Sequence, residues 1–219
     1  MARSKNRGSQ EVNAGSMADI AFLLLIFFLV TTQIATNKGL TMVLPPPKEE
    51  NIDVPLNERN VFKIQLNSAD KILVENEILD DVTEIRELVY DFVLNFGRMS
   101  DQKRGKDNLS DREVYSSLPA SMRNYIDANL RSADSSEGPS KAVVSLKTDR
   151  GSSYKMFIAV MDELNAAYYR IYGERVGLTA EEYRKLNKND PRQRRLYQLG
   201  KQGINKGISL AEPSGQSGS

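Results

Sequence analysis

A single apolar run, from Ala18 to Ile34, limits what this chain can become more than any other feature of it. It reads ADIAFLLLIFFLVTTQI and holds one ionisable residue, Asp19. A helix that spans a bilayer needs about 20 mostly apolar residues at about 1.5 Å rise each. The stretch from Ala14 to Ala35 meets that length. Threonine hydroxyls bond back to helix carbonyls, so Thr31 and Thr32 are tolerable in lipid. Arg3, Lys5 and Arg7 precede the run against Glu11, whereas Lys38 stands alone after it. Basic flanks stay in the cytoplasm. The expectation is a single-pass inner-membrane helix over residues 14–36, with residues 1–13 cytoplasmic and the C-terminal part outside.

Two other readings fit the same residues. A secretory signal also pairs a basic start with a short apolar core, here Ile20 to Val30 with cleavage after Ala35. Asp19 abutting that core, and Gln33 and Thr36 near the cleavage point, suit it poorly. Alternatively Asp19 is the N-cap of a helix that begins at Ile20, with its carboxylate at the headgroup level. The distinction matters because acids within a membrane segment are rare and mark function.

The remainder reads as a soluble protein, and its composition removes several function classes. Thirty basic and 29 acidic residues give a net charge of +1, so no global field points to nucleic acid. With neither cysteine nor histidine, a disulfide framework, a zinc–thiolate site and a histidine-based triad or metal site are excluded. No nucleophile–base set is visible, so an enzyme, a catalytic residue and a bound cofactor or metal are not expected.

After the run, residues 37–59 contain Pro45-Pro46-Pro47 and predict an extended tether. From residue 60 the pattern alternates. Val61, Phe62, Ile64 and Leu66 predict a strand, Asn67 to Asp70 a turn, and Ile72, Leu73 and Val74 a second strand. Asp80 or Asp81 then caps a predicted helix with Val82, Ile85, Leu88, Val89, Phe92, Val93 and Phe96 on one stripe, closed by Gly97. Lys141 to Lys147 predicts a buried strand. Asp149-Arg150-Gly151 is a turn with Ser152 or Ser153 as helix cap. Phe157, Val160, Met161, Leu164 and Tyr168 mark a helix ending near Gly173, and Ile208 to Ala211 a last short strand. These stripes are core rather than a cofactor box.

Ser16-Met17-Ala18-Asp19-Ile20 followed by AFLLLIFFLVTT resembles the start of the ExbD/TolR family, biopolymer transport proteins that serve as proton-channel stator subunits. KTDRGSSYKMFIAVMDELNAA and GISLAE are similar to its periplasmic domain. The resemblance implies an α+β fold: one transmembrane helix, then a small two-layer periplasmic domain (residues 60–211) of order β-β-α-β-α-β. It implies a subunit driven by the proton-motive force, in which the essential intramembrane acid falls on Asp19 and a pore-lining role on Thr31 or Thr32. The implied partners are an ExbB/TolQ-type multi-helix subunit, a second copy in a homodimer, a TonB-like or other periplasmic client, and peptidoglycan. A carboxyl group taken out of water favours its neutral form. One charge crossing 100 mV gains about 2.3 kcal/mol, enough to bias a conformational cycle.

Two stretches depart from the family pattern. Residues 98–140 are polar and end in SADSSEGPS, read as a flexible loop with a helix over Pro119 to Arg131. Residues 173–207 predict two short helices started near Thr179 and Asp190-Pro191. The second stretch carries nine basic and four acidic residues, net +5, which suits an acidic partner, lipid headgroups, cell-wall polymer or a solvated face. The tail, residues 212–219, is low-complexity and expected to be disordered. A membrane-tethered envelope adaptor that conducts nothing is the competing function, and the position of Asp19 decides between the two.

Overall fold

The computed structural model describes residues 14–31, 57–103 and 109–211. The chain divides into two units, Met1–Ile52 and Asp53–Ser219. In the first, α1 runs over Ala14–Thr31, 18 residues. Its large apolar side chains are exposed on every face, from Ile26 at 41% to Met17 at 61%. A helix apolar all round belongs inside a larger core or a membrane. Among the described residues no helix is long and apolar enough to cross a membrane. Eighteen residues measure about 27 Å, slightly less than a hydrocarbon core of about 30 Å. Residues 1–13, residues 32–36 of the expected span, the tether with Pro45-Pro46-Pro47 and the tail over 212–219 lie outside the described residues.

The second unit is a mixed α+β domain. Its five-stranded sheet has the order β3-β2-β1-β4-β5. β1 (Val61–Leu66) follows a short 3₁₀ turn at Glu58–Asn60. It pairs antiparallel with β2 (Ile72–Val74) and parallel with β4 (Val143–Thr148). β5 (Ile208–Ala211) adds parallel to β4. Each parallel step needs a crossover. The first carries α2 (Glu84–Val93), α3 (Asp111–Ser116) and α4 (Ala120–Asn129). The second carries α5 (Tyr154–Arg175), α6 (Ala180–Arg184) and α7 (Pro191–Lys201). Phe62, Ile64 and Leu66 of β1 alternate inward, in register with Val144 and Leu146 of β4, and all five are buried. The opposite face carries Lys63, Gln65, Ser145 and Lys147. One apolar sheet face thus packs the core with Ile85, Val89 and Val93 of α2 and Val160, Leu164 and Ile171 of α5, all fully buried.

The structure corrects several sequence expectations. A strand is added: β3 (Glu77–Leu79) pairs with β2 through the two-residue turn Glu75-Asn76. Both turn residues have positive φ, 48° and 75°, as a primed hairpin turn requires. α2 has Thr83 at its N-cap, and Asp81 instead accepts from Thr83 N at 2.9 Å, outside the helix. α2 ends at Val93, before Gly97. A Cβ on Gly97 would lie 2.0 Å from the carbonyl oxygen of Ser132, so that residue is glycine because another backbone approaches it. α5 continues through Gly173 to Arg175, because that glycine leaves room for the carbonyls of Leu178 and Thr179. In the 98–140 stretch α4 lies where the sequence predicts a helix over Pro119 to Arg131, whereas α3 is added, and Ser136 and Glu137 of SADSSEGPS are buried rather than in a flexible loop.

Candidate functional site

Asp19 lies inside α1. The helix begins at Ala14, so Asp19 is its sixth residue, past the first turn. The alternative that Asp19 caps a helix starting at Ile20 is therefore overturned. Its carboxyl group projects from a continuous helical backbone, with Gly15 and Leu23 one turn to either side. α1 contains no lysine or arginine, so nothing within the helix neutralises it. Asp19 is exposed, as are Phe22, Leu23 and Ile26 on the turns that follow. Thr31 is the last described residue of α1, twelve residues and about 18 Å along the axis from Asp19. Thr32 lies outside the described residues. Chemically, α1 offers a single carboxyl group on a mainly apolar rod.

The outer domain treats its charges differently. Glu137 is buried, and its carboxylate takes Lys141 and Arg59 as ion partners. Asn57 Nδ2 donates to the same carboxylate at 3.1 Å, and the Glu137 backbone N–H donates to Asn60 Oδ1 at 2.9 Å. Lys141 foremost, and Arg59 with it, hold the Glu137 carboxyl down at about 2 against the opposing effect of burial. The first described residues of the domain are thereby fixed to a loop about 80 positions further along.

A groove of about 720 Å³ is lined by Tyr90, Met122, Tyr125, Arg170, Glu174 and Leu178, among others. Tyr90 Oη donates to Glu174 Oε2 at 2.6 Å, Arg170 Nε donates to Glu174 Oε1 at 2.8 Å, and the Arg170 guanidinium lies 4.3 Å over the Tyr90 ring. Arg170 also bonds Glu87 at 2.5 Å, and Tyr125 Oη donates to Asp91 at 2.8 Å. Burial, then Glu174, pushes the Tyr90 hydroxyl well up. The bond to Asp91, then burial, pushes Tyr125 up to about 12. Both stay neutral donors near pH 7. Arg170 pairs with the carboxylates of Glu174 and Glu87, and neutral Tyr90 donates to Glu174, which makes this network a fastening between α2 and α5 rather than an acid–base set.

Sequence reasoning missed both clusters. Arg59 and Glu137 stand 78 positions apart, and Tyr90 and Glu174 stand 84 apart. Nothing local joins them. The basic stretch after Gly173, by contrast, forms its two helices where expected. Thr179 caps α6 in a reciprocal capping box with Glu182, and Asp190 caps α7 ahead of Pro191.

Comparison with known proteins adds one finding. The family model described as "Biopolymer transport protein ExbD/TolR" matches residues 5–178, which includes α1 and the domain through α5. No curated protein and no solved structure matches the chain.

Proposed function

The chain belongs to the ExbD/TolR family, and from that premise we propose that it is the proton-carrying subunit of an inner-membrane energy-transducing complex, with Asp19 as the carrier. Membership implies an energy-transducing role in biopolymer transport, an inner-membrane anchor and no enzymatic activity. It also suggests a complex of the ExbB/TonB type. The observation that supports Asp19 most is its place in α1: a lone acid on a mainly apolar helix, with no cation in that helix. Such a group is retained in a membrane only where a partner supplies polar surroundings. An ExbB/TolQ-type multi-helix subunit supplies them, and a second copy of this chain supplies a second α1.

In this reading α1 continues past Thr31 through residues 32–36, completing a span of about 20 residues. The N-terminal side faces the cytoplasm and the α+β domain the periplasm. Protonation neutralises Asp19 and frees the helix to shift among its partners; deprotonation draws it back to their polar groups. The proton enters from the periplasm and leaves to the cytoplasm, and each transfer is biased by about 2.3 kcal/mol per 100 mV. Thr31 and Thr32 line the path with hydroxyls toward the periplasmic end. The domain couples the movement to a TonB-like or other periplasmic client or to peptidoglycan.

The test is to purify the complex from mild detergent, weigh it intact, and then reconstitute it to follow proton uptake. The expected result is a polytopic partner, two copies of this chain, and proton flux that Asp19→Asn abolishes without dissociating the complex. Full proton flux in Asp19→Asn, or a mature chain lacking its first 35 residues, would overturn the reading.

A further inference from the structure

The stretch from Lys185 to Lys206 holds seven basic residues and one acid, Asp190. That one carboxylate is already occupied, accepting from the backbone N–H of Arg192 at 2.8 Å and of Gln193 at 3.3 Å to cap α7. Lys185 pairs with Glu181 at 3.8 Å, but among the described residues no carboxylate pairs with Lys188, Arg192, Arg194, Arg195 or Lys201, although eight ion pairs occur elsewhere in the domain. The cations are nevertheless held in place. Arg194 Nε donates to the carbonyl of Lys188 at 2.8 Å, and the ammonium groups of Lys188 and Lys201 lie 4.4 and 5.4 Å from the Tyr197 ring. The inner side of α7 packs tightly: a Cβ on Gly200 would sit 2.8 Å from the Tyr172 carbonyl oxygen. The outer side is exposed, and Arg192, Arg195 and Leu199 share one face at helical spacing, with Leu199 43% exposed.

We propose that the outer face of α7 docks on the anionic phospholipid headgroups of the membrane that anchors the same chain. An exposed leucine among unpaired arginines is the chemistry of a helix lying at a lipid surface: the cations meet phosphates and the apolar group enters the headgroup boundary. The tether strengthens the case. Only 25 residues separate Thr31 from Asn57, so a bilayer holding α1 is at high effective concentration for any surface of the domain. This inference rests on the membrane anchor proposed above.

The test uses the full chain reconstituted into vesicles of phosphatidylcholine alone or with about one-third phosphatidylglycerol, read by hydrogen exchange of peptides covering residues 185–206. The expected result is exchange about tenfold slower in the anionic vesicles, lost in about 0.5 M salt and lost in Arg192→Gln/Arg195→Gln, with unchanged exchange in the β1 and β4 peptides. Equal exchange in both vesicle types overturns the proposal. So does protection by soluble peptidoglycan fragments or polyglutamate in phosphatidylcholine vesicles, which would assign the face to a polymer or an acidic protein. Recovery of the chain in the vesicle fraction after an alkaline wash reports the anchor separately, so failure of the anchor and failure of the docking face are distinguishable.

Discussion

Asp19 and Glu137 are the same kind of group in opposite company. Glu137 is shielded from water, its side chain only 7% exposed, by the two cations that neutralise it and by the amide of Asn57. Asp19 stands on a helix with no cation at all, and Phe22 and Leu23 on the turn that follows it are apolar. A carboxylate with fixed partners is held in one charge state and contributes to stability. In the proposed reading a carboxylate without them takes its partners from another subunit, whose movement then sets its charge state. The contrast is between a charge that the fold neutralises and one that its own helix leaves without a cation.

The sharpest way to break the contrast is to exchange an amide for each acid. Asp19→Asn is expected to reduce proton-driven work at least about 100-fold while leaving the domain's urea midpoint unmoved. Glu137→Gln is expected to do the reverse. It leaves Arg59 and Lys141 facing a neutral amide and costs about 2 kcal/mol in urea denaturation of the domain. That is less than a fully enclosed pair would cost, because the two cations remain 25% and 21% exposed. A Glu137→Gln protein of unchanged stability would mean that the ion triad is decorative.

Acid titration sharpens the same comparison. Because the folded-state value for Glu137 is depressed to about 2, its contribution is complete above the ordinary glutamate value of 4.5. It is lost as pH falls from about 4.5 toward 2, where the folded carboxylate finally takes up a proton. The urea midpoint of the wild-type domain should therefore fall more steeply across that window than that of Glu137→Gln. Parallel slopes would remove Glu137 as the source.

The smallest effect concerns the basic face. Asp190→Ala removes the cap of α7 and is expected to cost about 1 kcal/mol, seen as faster hydrogen exchange at the first turn of that helix, with β1 and α2 unaffected. Even protection across α7 in that variant would mean that Pro191 alone sets the start.

Several elements carry their own instructions in one short segment, although Asp81 and Gly97 do not bound α2 as their types suggest. Alternation over Val61–Leu66 gives β1, Thr179 with Glu182 gives the box that starts α6, and Asp190-Pro191 starts α7. The hairpin strand β3 was missed because glutamate at positive φ is a poor turn signal. Glu75 is held there by pairing of its backbone N–H with the Lys63 carbonyl at 3.0 Å. SADSSEGPS was misread because serine, glycine and proline look like solvent-exposed loop. Ser136 and Glu137 are buried there by Asn60, Arg59 and Asn95 from the other end of the domain. For the candidate site, sequence alone singled out Asp19 but left its helix start open, and the observed start at Ala14 places it in the helix interior.

By itself, then, the sequence determined the one apolar rod, its lone acid, the absence of thiol and imidazole chemistry, and the elements whose start or period is written in adjacent residues. Those follow from residue type and spacing, which need no partner to act. Tertiary structure decided which charges are neutralised and which are not: Arg59 reaching Glu137, Arg170 reaching Glu87 and Glu174, and the arginines of α7 reaching no carboxylate among the described residues. The reason is that an ion pair depends on a separation of about 4 Å in space, and a crossover between parallel strands sets that separation with no trace in the intervening residues.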